Sequence, residues 1–175
     1  MNYPNYKIIL SSIVNPLSDT KADYFKHGAL VLENINQKYK IAELGEASKI
    51  IDKYKNEAEL IDLKDQIVLP SFFDMHFHWV QDDVSAMPKD SLLSWLTNYT
   101  WPYEAKFKSK EYTLKKVLAF TEKLLSVGTL GGACFASIHP HTVEYALDSF
   151  IGDFIVGNVL MTENSPDYLV QSESD

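Results

Sequence analysis

A chain of 175 residues, 46% of them hydrophobic, holds one domain, or a small domain and part of a larger one, and can bury a core. Its formal charge of -8 leaves no basic stripe to displace counterions from a phosphate backbone, which excludes a nucleic-acid partner and suits a neutral or cationic small substrate. No stretch approaches the roughly 18 to 20 apolar residues of a membrane span, no leader pattern opens the chain, and the lone Cys134 reads as a small buried hydrophobe in a reducing compartment, so a soluble cytoplasmic protein is expected.

The first 65 or so residues read as short strands over Tyr6 to Ile13, Gly28 to Glu33 and Tyr39 to Glu43, with turn material at Asn15-Pro16 and Asn34-Ile35-Asn36. Glu46 to Tyr54 interrupts them as a short surface helix with Ile50, Ile51 and Tyr54 on one side and lysines on the other. Strand character resumes over Glu59 to Leu63 and Gln66 to Leu69, up to Pro70. Beyond Pro70 the rhythm becomes strand-helix. Phe72 to Trp79 reads as a strand, and Lys89 to Tyr99 as a helix with Leu92, Leu93, Trp95 and Leu96 inward. Lys110 to Val127 reads as a second helix closed by Gly128, followed by a strand over Thr129 to Ile138, a helix over His141 to Phe150 and a strand over Phe154 to Met161. Strands alternating with helices pair in parallel and need both faces covered.

Chemistry concentrates in Val68-Leu69-Pro70-Ser71-Phe72-Phe73-Asp74-Met75-His76-Phe77-His78-Trp79. Period-two alternation sends His76 and His78 to one face, about 6.5 to 7 Å apart along the strand. Converging imidazoles at that spacing can share a metal through bonds of about 2.0 to 2.1 Å. Asp74, on the same face, could stand behind them and hydrogen-bond a ligating ring or a metal-bound water. Two strand histidines can equally be ordinary polar residues, and the chain carries its own control in His139-Pro140-His141, whose proline suits a loop and helix start. His27, beside Gly28, reads as a surface residue. Trp79, Trp95 and Trp101 could shape a flat pocket or simply pack a core, and Lys106-Phe107-Lys108 reads as a solvated helix start.

The whole segment resembles the first barrel strand of the amidohydrolase superfamily, where Pro-Gly and an apolar pair precede Asp-x-His-x-His; Ser71 stands in place of the glycine. Further stretches are similar to the guanine deaminase branch: His78-Trp79-Val80-Gln81, Leu92-Leu93-Ser94-Trp95-Leu96, Tyr99-Thr100-Trp101-Pro102-Tyr103-Glu104-Ala105-Lys106-Phe107, and Gly157-Asn158-Val159-Leu160-Met161. That resemblance implies an α/β fold in which residues 1–66 form the N-terminal piece of a small β-sandwich. Residues 67–175 would then form the first three βα units of an incomplete (β/α)8 TIM barrel. It implies one zinc ion per full-length subunit held in part by His76 and His78, a purine contacted by His78 and Gln81, and a full-length homodimer. An amide suits that role because it offers both donors and an acceptor to a base edge. The implied reaction is hydrolytic deamination of guanine to xanthine and ammonia by a zinc-activated water.

The resemblance implies that the chain is roughly two-fifths of such an enzyme, with its acid/base residues beyond residue 175, since a complete barrel takes about 250 residues and the stretch after Pro70 has room for about three of its eight strands. Alone it is expected to be inactive, since a catalytic zinc normally has three protein ligands. Two alternatives remain, a related amidohydrolase acting on another purine, a pyrimidine or a triazine, and a non-catalytic module that reuses the fold. The single cysteine excludes the cytidine-type zinc site with its Pro-Cys-x-x-Cys.

Overall fold

The computed structural model describes residues 4–171, which divide into two compact units meeting at Pro70 and Ser71. In the first, β1 (Tyr6–Pro16), β2 (Ala22–Ile35), β3 (Lys38–Glu46) and β4 (Ala58–Val68) form one sheet in the order β3-β2-β1-β4. Neighbours pair antiparallel except β1 with β4, which run parallel. The strands are longer than local sequence suggests. Asn36 and Gln37, both at positive φ, turn β2 tightly into β3, so Ile35 belongs to the strand and not to the turn. The two short strands expected before Pro70 are one, with a bulge around Lys64, at φ 54, between the Leu10–Asp62 and Ser12–Ile67 pairings. Helix α1 (Ala47–Tyr54) lays Ile50 against Ile8, Ala29 and Val31 on one face of this sheet.

The second unit is built on a parallel three-stranded sheet, β5 (Phe72–His78), β6 (Thr129–Phe135) and β7 (Asp153–Gly157), in that order. Helix α4 (Lys110–Ser126) precedes β6 and α5 (Pro140–Ser149) precedes β7. The core beside the sheet gathers Trp79, Phe107, Val117, Cys134 and Ala146, with Phe77 and Phe120 packed against it. Trp79 and Phe107, each 1% exposed, meet edge to face at 5.2 Å. Cys134 is buried among them, which pushes its thiol up to about 12.

Between β5 and α4 the single expected helix is a broken series. Ser91 caps α2 (Leu92–Trp95) by accepting from the Ser94 N–H, a π-helical turn covers Leu96–Thr100, α3 (Trp101–Glu104) follows, and a 3₁₀ turn covers Ala105–Lys108. Pro102 has no N–H to return to the preceding turn, and the widened π turn sits where that bond is missing. Leu92 and Leu93, expected inward, are 62% and 64% exposed, while Phe107, expected in a solvated helix start, belongs to the core. Helix α4 likewise turns Thr113, Val117, Thr121 and Leu124 inward and leaves Leu114, Leu118 and Leu125 outside. The buried hydroxyls are satisfied locally, Thr113 donating to the carbonyls of Phe107 and Ser109 and Thr121 to that of Val117. The last strand ends at Gly157, short of the Met161 that apolar content suggests.

Strand β5 pairs with β6 irregularly: Asp74 lies opposite Gly132, yet Phe77 lies opposite Cys134, so β5 carries an extra residue between the two pairings. Gly132 sits at φ 143, and a Cβ there would fall 1.8 Å from the Asp74 carbonyl oxygen. Gly132→Ala is therefore expected to cost about 1 to 3 kcal/mol from backbone conformation alone, with the clash added. A thermal melt of the variant should show a clearly lowered midpoint; an unchanged one would mean that the strands do not approach as closely as described.

Candidate functional site

The first requirement of a metal site is that its donors converge. His76 is exposed and His78 half-buried at the C-terminal end of β5, and their ring centres lie 5.4 Å apart at 51°. Both rings rest on Phe135 of β6, at 4.8 Å for His76 and 4.9 Å for His78, the latter stacked. The phenyl ring supplies a floor that the His-x-His spacing alone does not reveal. Burial lowers the pKa of His78 and the neighbouring His76 lowers it further, which favours the neutral ring a metal needs. Asp74 does not reach either imidazole in the described residues; its Oδ1 accepts the backbone N–H of His76 at 3.1 Å, within the irregular stretch of β5.

The chain leaves β5 in a 3₁₀ turn, Trp79–Val84, whose Trp79, Val80 and Val84 are buried. Those anchors leave Gln81 beside the histidines, in a pocket lined by His76, His78, Gln81, Met87 and Trp95. The indole N–H of Trp95 donates to the Val84 carbonyl, tying the helical series to this turn. Of the three tryptophans considered for the pocket, Trp95 lines it, Trp79 lies in the core, and Trp101 does neither. Asp82 and Asp83 pair with Lys123 and Lys116 of α4 and hold the turn from outside.

The Gln81 amide Nε2 donates to Glu104 Oε1 at 2.7 Å and lies 3.3 Å from His78 Nδ1. Glu104 is 3% exposed; burial pushes its carboxyl up and the Gln81 bond pulls it down. Sequence reasoning quoted this residue without singling it out, although one acid in the aromatic run Trp101 to Phe107 was a signal. The second histidine pair stands elsewhere, at the start of α5. Its rings stack at 5.7 Å, His141 Nε2 donates to the Phe107 carbonyl, and neither ring lines the pocket of His76 and His78. His27 is exposed and lies within β2. Among the described residues no group of three or more His, Cys, Asp or Glu is placed to hold a metal ion. The two imidazoles fit as part of a ligand set.

No family model matches the chain. Among proteins of known function it is 32% identical over 114 residues to the guanine deaminase of Escherichia coli, covering 63% of this chain and 26% of that protein. It is also 30% identical over 125 residues to a 5-methylthioadenosine/S-adenosylhomocysteine deaminase of Pyrococcus abyssi, covering 68% of this chain and 28% of that protein. Among solved structures, guanine deaminase from C. acetobutylicum with guanine bound in its active site matches at a TM-score of 0.80 and 32% identity, over 95% of this chain and 39% of that one. The fold is that of the amidohydrolases, mixed α/β. Within them the chain is a homologue of guanine deaminases, spanning about a quarter of the length of the E. coli protein (26%). No helix among the described residues is long and apolar enough to cross a membrane.

The two causes that lower the His78 pKa can be separated. In metal-free protein, His76→Asn removes the neighbouring positive charge, so the midpoint of His78 should rise. It should stay below the ordinary 6.5 because burial, the larger cause, remains. Two-dimensional NMR of the imidazole resonances against pH reads this directly, and a midpoint that does not move would show that the rings are not neighbours.

Proposed function

We propose that the chain carries the opening portion of a guanine deaminase, with residues 1–66 as part of a composite β-sandwich and residues 67–175 as the first three βα units of a (β/α)8 barrel. The observation that supports it best is one pocket holding His76, His78 and Gln81 in a chain 32% identical to a guanine-bound deaminase. His76 and His78 would supply two ligands of a zinc ion. Bound there, zinc would supply an activated water for hydrolysis of the exocyclic C–N bond, with ammonia as the leaving group. His78 and Gln81 would contact the purine, and Asp74, through its bond to the His76 backbone, would steady the strand beneath the ligands. Phe135 and Trp95 wall the site with apolar surface, which strengthens polar contacts made inside it.

The remaining ligands and the acid/base group would come from further strands of the barrel, and residues 1–175 alone would turn over nothing. The full-length protein would be a cytoplasmic homodimer, a reading supported by composition and family resemblance. A second reading, favoured by the likeness to 5-methylthioadenosine/S-adenosylhomocysteine deaminases, is deamination of a purine nucleoside by the same groups.

The test is ammonia release by the full-length protein from guanine, with 5-methylthioadenosine, S-adenosylhomocysteine, adenine, cytosine and a triazine beside it and zinc measured throughout. His76→Ala and His78→Ala should lose both zinc and activity. Gln81→Ala should keep its zinc and bind guanine more weakly by about 1 to 3 kcal/mol, the cost of stranding a buried hydrogen-bonding partner. A protein that ignores guanine and deaminates the nucleosides would transfer the assignment to the second reading. Turnover by the 175-residue chain itself would refute the need for further barrel strands.

A further inference from the structure

An amide side chain can show a ligand either its oxygen or its nitrogen, and what holds it decides which. Around Gln81 one bond is short and directional, the 2.7 Å contact of Nε2 with Glu104 Oε1. The Gln81 bond favours the ionised form of Glu104, and an ionised carboxylate only accepts, so the end of the amide that faces it is the NH2 group. The other contact, 3.3 Å from Nε2 to His78 Nδ1, needs a lone pair on Nδ1. A neutral ring that gives its Nε2 lone pair to a metal carries its proton on Nδ1 and cannot accept there. Glu104 is thus the partner that persists in either state of His78. Among the described residues Gln81 Oε1 accepts no hydrogen bond, and it belongs to a side chain that lines the pocket.

We propose that Glu104 is a positioning residue that holds the Gln81 amide by its nitrogen, so that Gln81 presents only an acceptor and selects a heterocycle whose edge carries N–H donors. This rests on the assignment of Gln81 to the substrate pocket and adds the direction of its hydrogen bond. Guanine, with a ring N–H beside its exocyclic amine, has such an edge; a base with a bare ring nitrogen there meets acceptor against acceptor. The carboxylate can act this way because it is fixed. It sits at the C-terminal end of α3, after the π turn and Pro102, and is buried, as are Tyr103 and Phe107 on either side of it in the chain.

The test is a double-mutant cycle in the full-length protein, with kcat and KM for guanine, competition by adenine, and melting temperature for each variant. Glu104→Leu keeps bulk and burial but frees the amide to turn. Its guanine KM should rise about tenfold, within the range for a buried hydrogen bond lost, with adenine competing better and kcat changed less than KM. Glu104→Gln can pair with either end of Gln81 and should fall between wild type and Glu104→Leu; it serves alone if the leucine variant does not fold. In a Gln81→Ala background, either change at Glu104 should leave KM within about twofold, since effects that run through one shared partner are not additive. An equal rise in KM with and without Gln81 would overturn the proposal, because Glu104 would then act on the substrate or the fold directly. If Gln81→Ala alone leaves guanine KM unchanged, the placement of Gln81 against substrate fails instead, whatever Glu104 does.

Discussion

The parallel contact between β5 and β6 is what the candidate site stands on. Gly132 lets the Asp74 backbone come close, the irregular pairing that follows uses one extra residue of β5, and the register resumes with His78 opposite Phe135. The phenyl ring therefore lies under both imidazoles. Without that contact the histidines would be two side chains on a free ribbon. With it they share a surface, and the turn that carries Gln81 begins beside it.

The opposite side of the same strand supplies rigidity. Phe77 stacks on Phe120 at 5.9 Å, and Trp79, one residue past the second histidine, is clasped by Phe107, Phe120 and Phe150. A catalytic or binding group is held well when its chain neighbours are buried on both sides. Here Phe77 lies between the two histidines, and Trp79 and Val80 lie between His78 and Gln81. The side chains with chemistry alternate with the ones that pack.

Much of this was readable in advance, and the limits have physical causes. The strand bearing the histidines, the long helix α4 and the parallel rhythm followed from hydrophobic periodicity and a glycine stop, since these are local signals. The inward face of α4 did not, because buried Thr113 and Thr121 look polar in sequence and are made apolar by bonds to carbonyls one turn back. Leu92 and Leu93 look apolar and lie outside. His-x-His with Gln81 was visible as a spacing. Phe135 and Glu104 were not, since each reaches the site from an element 23 or more residues away from Gln81, and no local pattern records who meets whom across a fold.

The π turn at Leu96–Thr100 bears on more than local geometry. A helix repeats about every 3.6 residues, so one residue of slack swings everything beyond it by about 100°. Pro102 marks where the slack is taken up, and Glu104 lies two positions further on. The bearing of the carboxylate is therefore a matter of phase, stored in a residue whose own ring does not line the pocket. A change at Pro102 that let the helix run regularly would keep every pocket side chain in the sequence and still point Glu104 somewhere else.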